Sequence, residues 1–267
     1  MLDVDAVPTA WRESGGTNGA DGVALFLHGL GGSRIAWEPQ LRALAELRRV
    51  VAWDCPGYGA SQPVESPSFG AYANAVVSLI DRLSPDAPVD LVGMSFGGMI
   101  AQVAAAQLGD RVRTLTLLCT SPKFGLDGTD PDEWRQARLS ALESGGSPAE
   151  AAPAIIGSLI APGHEFVIGE AVAAMQRVPT AGLMDAMRTI VHHDTRAILP
   201  TLTVPVLVLV GSLDEETPPA YGQAIVDLAT NSPRAHLVVI EGAGHVLNLE
   251  APTAVNEAIA HHWTSWP

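Results

Sequence analysis

The sequence predicts an α/β fold, a mostly parallel central sheet flanked by helices, and three observations carry that expectation. Short apolar runs rich in Val and Leu recur along the chain, helix-length segments separate most of them, and one long interval breaks the alternation. The runs are Val23 to Leu27, Val50 to Trp53, Val89 to Val92, Thr114 to Leu118, Val206 to Val210 and Leu237 to Ile240. A strand covered by helices on both faces needs apolar side chains on both, so it reads as a continuous apolar run rather than an alternation.

Helices are expected at Pro39 to Leu47, Ala71 to Leu83 and Met99 to Gln107, which gives the strand–helix rhythm of a doubly wound sheet. The interval from Leu118 to Val206 is too long for a loop. Inside it, Asp130-Pro131-Asp132-Glu133 and Ser147-Pro148-Ala149-Glu150 each place a capping residue, a first-turn Pro and an acid three positions on, so two helices should start there. Pro179 to His192 spaces Leu183, Met187, Ile190 and Val191 along one helical face. The expected organisation is a core domain of residues 1–120 and 204–267, with residues 121–203 inserted as a helical lid; the alternative is an ordinary extra helical layer.

Composition narrows the function classes. The chain has 267 residues, 47% hydrophobic and 16% charged, with Gly and Pro scattered, which allows a large core and argues against disorder. A formal net charge of −14 argues against nucleic acid or an anionic membrane surface as a partner, because clustered Lys and Arg carry phosphate binding. Residues Met1 to Ala10 lack the basic and apolar regions of a signal peptide, and no apolar run reaches about 18 residues, the length of a membrane span. Cys55 and Cys119, each beside a strand end, are expected as buried free thiols, and the simplest setting is a cytoplasmic enzyme acting on a small molecule.

The chemistry is written at three places. Gly93-Met94-Ser95-Phe96-Gly97 follows one predicted strand and opens a helix. In that setting a sharp turn lifts the serine hydroxyl above the sheet, and the flanking glycines avoid collisions with neighbouring backbone. A serine needs a base, and His245 in Gly242-Ala243-Gly244-His245 lies just after the last strand, at the carboxyl edge of the sheet. His164, His192 and His193 fall in the inserted interval, His236 precedes a strand, and His261 and His262 lie on the final helix. The base needs an acceptor for its other ring N–H, and Asp214 after strand Val206 to Val210 completes the chain order Ser, Asp, His; Glu215 and Glu216 are its neighbouring competitors. Oxyanion donors are expected from the backbone N–H groups of Phe96 and of Leu30 in His28-Gly29-Leu30-Gly31-Gly32, with His28 holding that loop together. The same glycines lack the endings of nucleotide-binding loops, and no cluster has metal-ligand spacing, so neither cofactor nor metal is expected.

Taken together, His28-Gly29, Asp54-Cys55-Pro56-Gly57-Tyr58-Gly59-Ala60-Ser61, the Ser95 elbow, Asp214 with Thr217-Pro218, and Gly244-His245 resemble the α/β-hydrolase fold superfamily along nearly the whole chain. Within it, Gly93 to Met99 and Asp214-Glu215-Glu216-Thr217-Pro218-Pro219 look like the 3-oxoadipate enol-lactonases of aromatic catabolism. The chain departs from them in having Phe96 where Met is frequent, and in a shortened N-terminal hairpin region, Val7 to Glu13. The resemblance implies an α/β-hydrolase fold and hydrolysis of an ester or lactone through an acyl-enzyme on Ser95. It also suggests Trp134 and Arg138 as substrate-binding residues, Arg138 holding a substrate carboxylate, with Arg177 and Arg188 as further cations. Other activities of the fold remain open: carbon–carbon bond hydrolysis of a ring-fission diketone, general carboxylesterase or perhydrolase action, and slow-turnover receptor function.

Overall fold

The structure, a computed structural model, describes residues 1–15 and 22–266. Its strands are β1 (Leu2–Val4), β2 (Trp11–Ser14), β3 (Val23–Leu27), β4 (Arg49–Trp53), β5 (Val89–Met94), β6 (Val112–Leu118), β7 (Val206–Gly211) and β8 (Ala235–Ile240). They form an eight-stranded sheet in the order β1-β2-β4-β3-β5-β6-β7-β8, parallel from β4 to β8. The six apolar runs became β3 to β8, and every side chain of β3, β5 and β7 is buried.

Two strands lie outside that reading. Leu2–Val4 pairs antiparallel with Trp11–Glu13, and β2 runs antiparallel along β4. These two strands at one end of the sheet are short and carry few apolar residues in a row, and ion pairs help to hold them: Arg12 with Asp3 at 2.8 Å and with Glu38, and Arg49 with Glu13 at 2.7 Å. A search for buried apolar runs passes over such a pair.

The helices are α1 (Glu38–Ala43), α2 (Phe69–Leu83), α3 (Phe96–Leu108), α4 (Pro131–Glu143), α5 (Pro148–Leu159), α6 (Ile168–Met175), α7 (Thr180–Ile190), α8 (Pro219–Leu228), α9 (Leu247–Glu250) and α10 (Pro252–Ser265). In the core, α2 packs on α3 and α3 on β5, α1 meets α10, α10 lies on β6 and β7, and α8 packs on β7 and β8. Among the described residues, no helix is long and apolar enough to cross a membrane.

Four helices, α4 to α7, lie between β6 and β7. The starts of α4 and α5 follow from local chemistry. Asp130 Oδ1 accepts from the N–H groups of Asp132 and Glu133, both at 2.9 Å, while Ser147 and Glu150 form a reciprocal capping box. Leu183, Met187, Ile190 and Val191 are all buried along α7 and its C-cap, as their spacing requires. Pairwise, α5 packs on α6 and α4 on α7.

Candidate active site

The site is assembled at the carboxyl ends of β3, β5, β7 and β8. Ser95 sits between β5 and α3 with φ 51° and ψ −118°, a backbone conformation that costs energy for any residue with a side chain. Local contacts hold it there. The Ser95 N–H donates to Leu118 C=O at 2.9 Å, and the Thr120 hydroxyl donates to Ser95 C=O at 2.8 Å. The two motif glycines are sterically required: a Cβ at Gly93 would lie 2.4 Å from Gly97 O, and one at Gly97 would lie 2.2 Å from Leu27 O.

His245 Nε2 lies 3.1 Å from Ser95 Oγ, and its Nδ1 lies 3.0 Å from both carboxylate oxygens of Asp214. Asp214 is held in turn by the N–H groups of Glu216 and Thr217, at 3.0 and 2.9 Å, and by the Thr217 hydroxyl at 2.8 Å. Burial would raise the Asp214 pKa, but the His245 charge and hydrogen bond, together with the Thr217 donors, outweigh it and hold the carboxyl below its ordinary value. For His245, burial would push the pKa down; the charge and hydrogen bond of Asp214 overcome this, with contributions from Glu216 and Glu250, and raise it. The arrangement can take a proton from the serine hydroxyl and stabilise the resulting imidazolium.

His28 holds its loop, as its place beside the glycines suggests. Cys55 N–H donates to His28 Nε2 at 3.0 Å, which leaves the ring proton on Nδ1, 2.9 Å from Gly29 C=O. This ties the Leu30 loop to the turn after β4. Among the described residues, neither the Leu30 N–H nor the Phe96 N–H is engaged in a hydrogen bond, and Phe96 opens α3, where a helix leaves its first N–H groups free. The Phe96 ring is buried against Phe69 and Tyr72, with centroids 5.6 Å away in each case.

Ser95 and His245 face two adjoining compartments. The inner one, ≈ 130 Å³, is walled mainly by apolar side chains, among them Trp37, Ile155, Ile156, Leu159 and Leu249, with Leu30 and Gly29 beside the serine. The outer one, ≈ 230 Å³, is polar and includes Lys123, Asp127, Glu215, Thr217 and Tyr221. Trp134, Arg138 and Glu216 border both.

The expected substrate residues are therefore at the site, with partners of their own. The Arg138 guanidinium lies 5.4 Å over the Trp134 ring and 3.4 Å from Glu216 Oε1, while Trp134 meets Phe124 edge-on at 5.3 Å. Arg177 and Arg188 do not border either compartment, and Arg188 pairs with Glu143 and Asp185. Glu215 and Glu216 make no hydrogen bond to His245 among the described residues. The other histidines have separate settings: His193 Nε2 is 2.9 Å from Ser121 C=O, and His236 and His262 face each other at 5.9 Å.

Three residues beside the trio were not assigned to the site from the sequence, although Cys119 was expected as a buried free thiol and is one. Thr217 was visible only as part of a family marker, although a Thr three positions after an Asp is a recognisable turn arrangement. Cys119, buried with φ 44°, stands beside Asp214. Glu250 gave no signal, because a Glu in sequence reads as exposed; here it is buried and accepts three backbone N–H groups. Among the described residues, Cys119, Asp214 and His245 bring possible metal-ligating atoms within 4.8 Å of one another, a grouping the fold creates and spacing hides. Burial holds the Cys119 thiol well above its ordinary pKa, and the other two are engaged with each other, so the cluster does not offer a ready thiolate site.

Residues 24–258 match the model of the alpha/beta hydrolase family. The chain is 29% identical over 226 residues to a pimeloyl-[acyl-carrier protein] methyl ester esterase of Neisseria meningitidis serogroup B, covering 82% of this chain and 84% of the relative. It is 27% identical over 257 residues to 3-oxoadipate enol-lactonase 2 of Acinetobacter baylyi, covering 90% and 88%. A match at 30% identity to polyketide synthase ThaQ of Burkholderia thailandensis covers 88% of this chain but spans only 11% of that protein. Among solved structures, the enol-lactonase from Burkholderia xenovorans LB400 superposes with a TM-score of 0.86 at 22% identity, over 98% of this chain and all of that one.

Proposed function

From the premise that the chain belongs to the alpha/beta hydrolase family, we propose that it hydrolyses a small carboxylic ester or lactone through an acyl-enzyme on Ser95. The observation that carries this is the continuous chain of contacts from Asp214 through His245 to Ser95, with Ser95 opening onto an apolar compartment. His245 takes the hydroxyl proton as Ser95 attacks the carbonyl carbon, Asp214 steadies the imidazolium, and the N–H groups of Leu30 and Phe96 receive the oxyanion. The protonated His245 then donates to the leaving oxygen, and water attacks the acyl-enzyme by the same route in reverse. No cofactor takes part. The inserted helices serve as the lid, supplying Ile155, Ile156 and Leu159 to the acyl side.

The resemblance to the enol-lactonases makes a lactone with a free carboxylate the finer reading, with Arg138 as its cation. Glu216, 3.4 Å from that guanidinium, must then yield it to the substrate. A neutral ester needs no such exchange. Steady-state hydrolysis of 3-oxoadipate enol-lactone beside short-chain p-nitrophenyl esters separates the two: kcat/KM of about 10⁴ M⁻¹s⁻¹ or more on the lactone supports the lactonase. Turnover of esters alone sends the search to esters and diketones, and failure on both moves the slow-turnover receptor reading ahead.

A further inference from the structure

Resting on the reading of His245 as the base, we infer that Glu250 is a positioning residue that fastens the His245 loop to the inserted helices, so that base and pocket wall are held as one unit. Glu250 closes α9 and is 4% exposed. Its Oε2 accepts from Gly244 N–H at 2.8 Å and from Ala161 N–H at 2.9 Å, and its Oε1 accepts from Val246 N–H at 2.9 Å. The residues on either side of the base are thus bound to one carboxylate. The N–H of His245 itself donates to Leu159 C=O at 3.1 Å.

The same two stretches of backbone meet from both directions. Leu159 ends α5 and Ala161 lies two residues on, so the insert gives one carbonyl to the base loop and one N–H to Glu250, which completes the junction. The approach is close enough to exclude a side chain: a Cβ at Gly244 would lie 2.8 Å from Ala161 N and 3.0 Å from Leu159 O. Leu159, Ile155 and Ile156 also wall the inner compartment, so an acyl group there presses on the segment that holds the base. A buried carboxylate is costly without donors, and hydrogen bonds to a charged acceptor are stronger than neutral ones, so separating the insert from the loop is resisted.

The charges around the junction are few. His164 Nδ1, on the insert, is 3.9 Å from Glu250 Oε2, and Asp214 and Glu216 act on His245 from the other side. Glu250 adds to the negative charge that keeps the imidazole's pKa up.

Glu250→Gln preserves shape but turns an amide NH₂ toward at least one backbone N–H and removes the charge. The expected result is kcat lower by roughly 10- to 100-fold with KM changed by less than about threefold, because the base is misplaced while the pocket persists. The acid limb of kcat/KM should also move to lower pH. A folded Glu250→Gln enzyme with wild-type kcat and an unmoved acid limb overturns the inference. His245→Gln is run beside it: activity surviving there would defeat the base assignment itself, whereas an inactive His245→Gln with a normal Glu250→Gln defeats the Glu250 role alone. Should Glu250→Gln fail to fold, Glu250→Asp keeps the charge but is one methylene too short to reach the Gly244, Val246 and Ala161 N–H groups together. A fall in kcat of at least about threefold supports the junction, and wild-type kinetics in that variant overturns it.

Discussion

His245 Nδ1 stands 3.0 Å from each carboxylate oxygen of Asp214, and the two oxygens are not equivalent. Oδ1 receives two backbone N–H groups, from Glu216 and Thr217, while Oδ2 receives the Thr217 hydroxyl. In Asp214→Asn the backbone donors keep the amide oxygen at Oδ1, which leaves the NH₂ group at Oδ2, facing the imidazole. That selects the wrong tautomer for a base. The expected loss is about 10³- to 10⁴-fold in kcat with the fold retained, checked by steady-state kinetics and circular dichroism.

Thr217→Val tests the support behind the acid. It deletes the hydroxyl donor at 2.8 Å and leaves Oδ2 short of one hydrogen bond in a buried place. A destabilisation of about 1–3 kcal/mol and a drop in kcat of roughly tenfold are expected, with KM little changed. Denaturant unfolding and kinetics on the same preparation check both.

With His245 as the proposed base, its raised pKa predicts the acid side of the activity profile. The base must be neutral to accept the serine proton, and Asp214 holds the imidazole above its ordinary value of 6.5 against the opposing effect of burial. Log kcat/KM should therefore rise with pH and level off only above about 6.5. A midpoint near 5 would show that Asp214 does not stabilise the imidazolium.

Stability should depend on acid through two other histidines. Burial pushes His193 and His262 each down to about 4, from an ordinary 6.5. Between those values the unfolded chain binds more protons than the folded one, so stability is full above about pH 6.5 and is lost as pH falls toward 4, by a few kcal/mol per group at most. His193→Gln keeps a donor toward Ser121 and removes one such group. The gap in Tm between wild type and variant should narrow from pH 7 to pH 4.5, and parallel curves would contradict the linkage.

Arg138→Gln addresses the substrate. If a free carboxylate is bound there, KM for an anionic lactone should rise about tenfold while KM for a neutral ester stays put, since one exposed-edge ion pair is worth on the order of 1 kcal/mol. Equal changes for both substrates would place Arg138 in packing with Trp134 and pairing with Glu216 instead.

The sequence carried the sheet from β3 to β8 because strands buried on both faces must be apolar throughout, and it carried the caps at Asp130 and Ser147 because capping is local chemistry. The Ser95, Asp214 and His245 trio that the fold brings together was legible for a similar reason: a strand, a turn glycine and a reactive residue recur at Ser95, and again near Asp214 and His245. The two strands β1 and β2 at the end of the sheet were not, since ion pairs and register rather than apolar pattern define them. Glu250, and the place of Cys119 beside Asp214, were hidden more deeply. Their roles depend on contacts across the fold, Ala161 to Glu250 and Cys119 to Asp214, and no spacing in the chain records those distances.

The most direct test of the acyl-enzyme account is covalent trapping. The protein is treated with a p-nitrophenyl alkylphosphonate, release of p-nitrophenol is counted, and the labelled peptide is mapped by mass spectrometry. One equivalent released, a single adduct on the peptide containing Ser95, activity lost in proportion, and no labelling of Ser95→Ala are the expected results. An adduct elsewhere, or full ester and lactone turnover by protein labelled at Ser95, would contradict it.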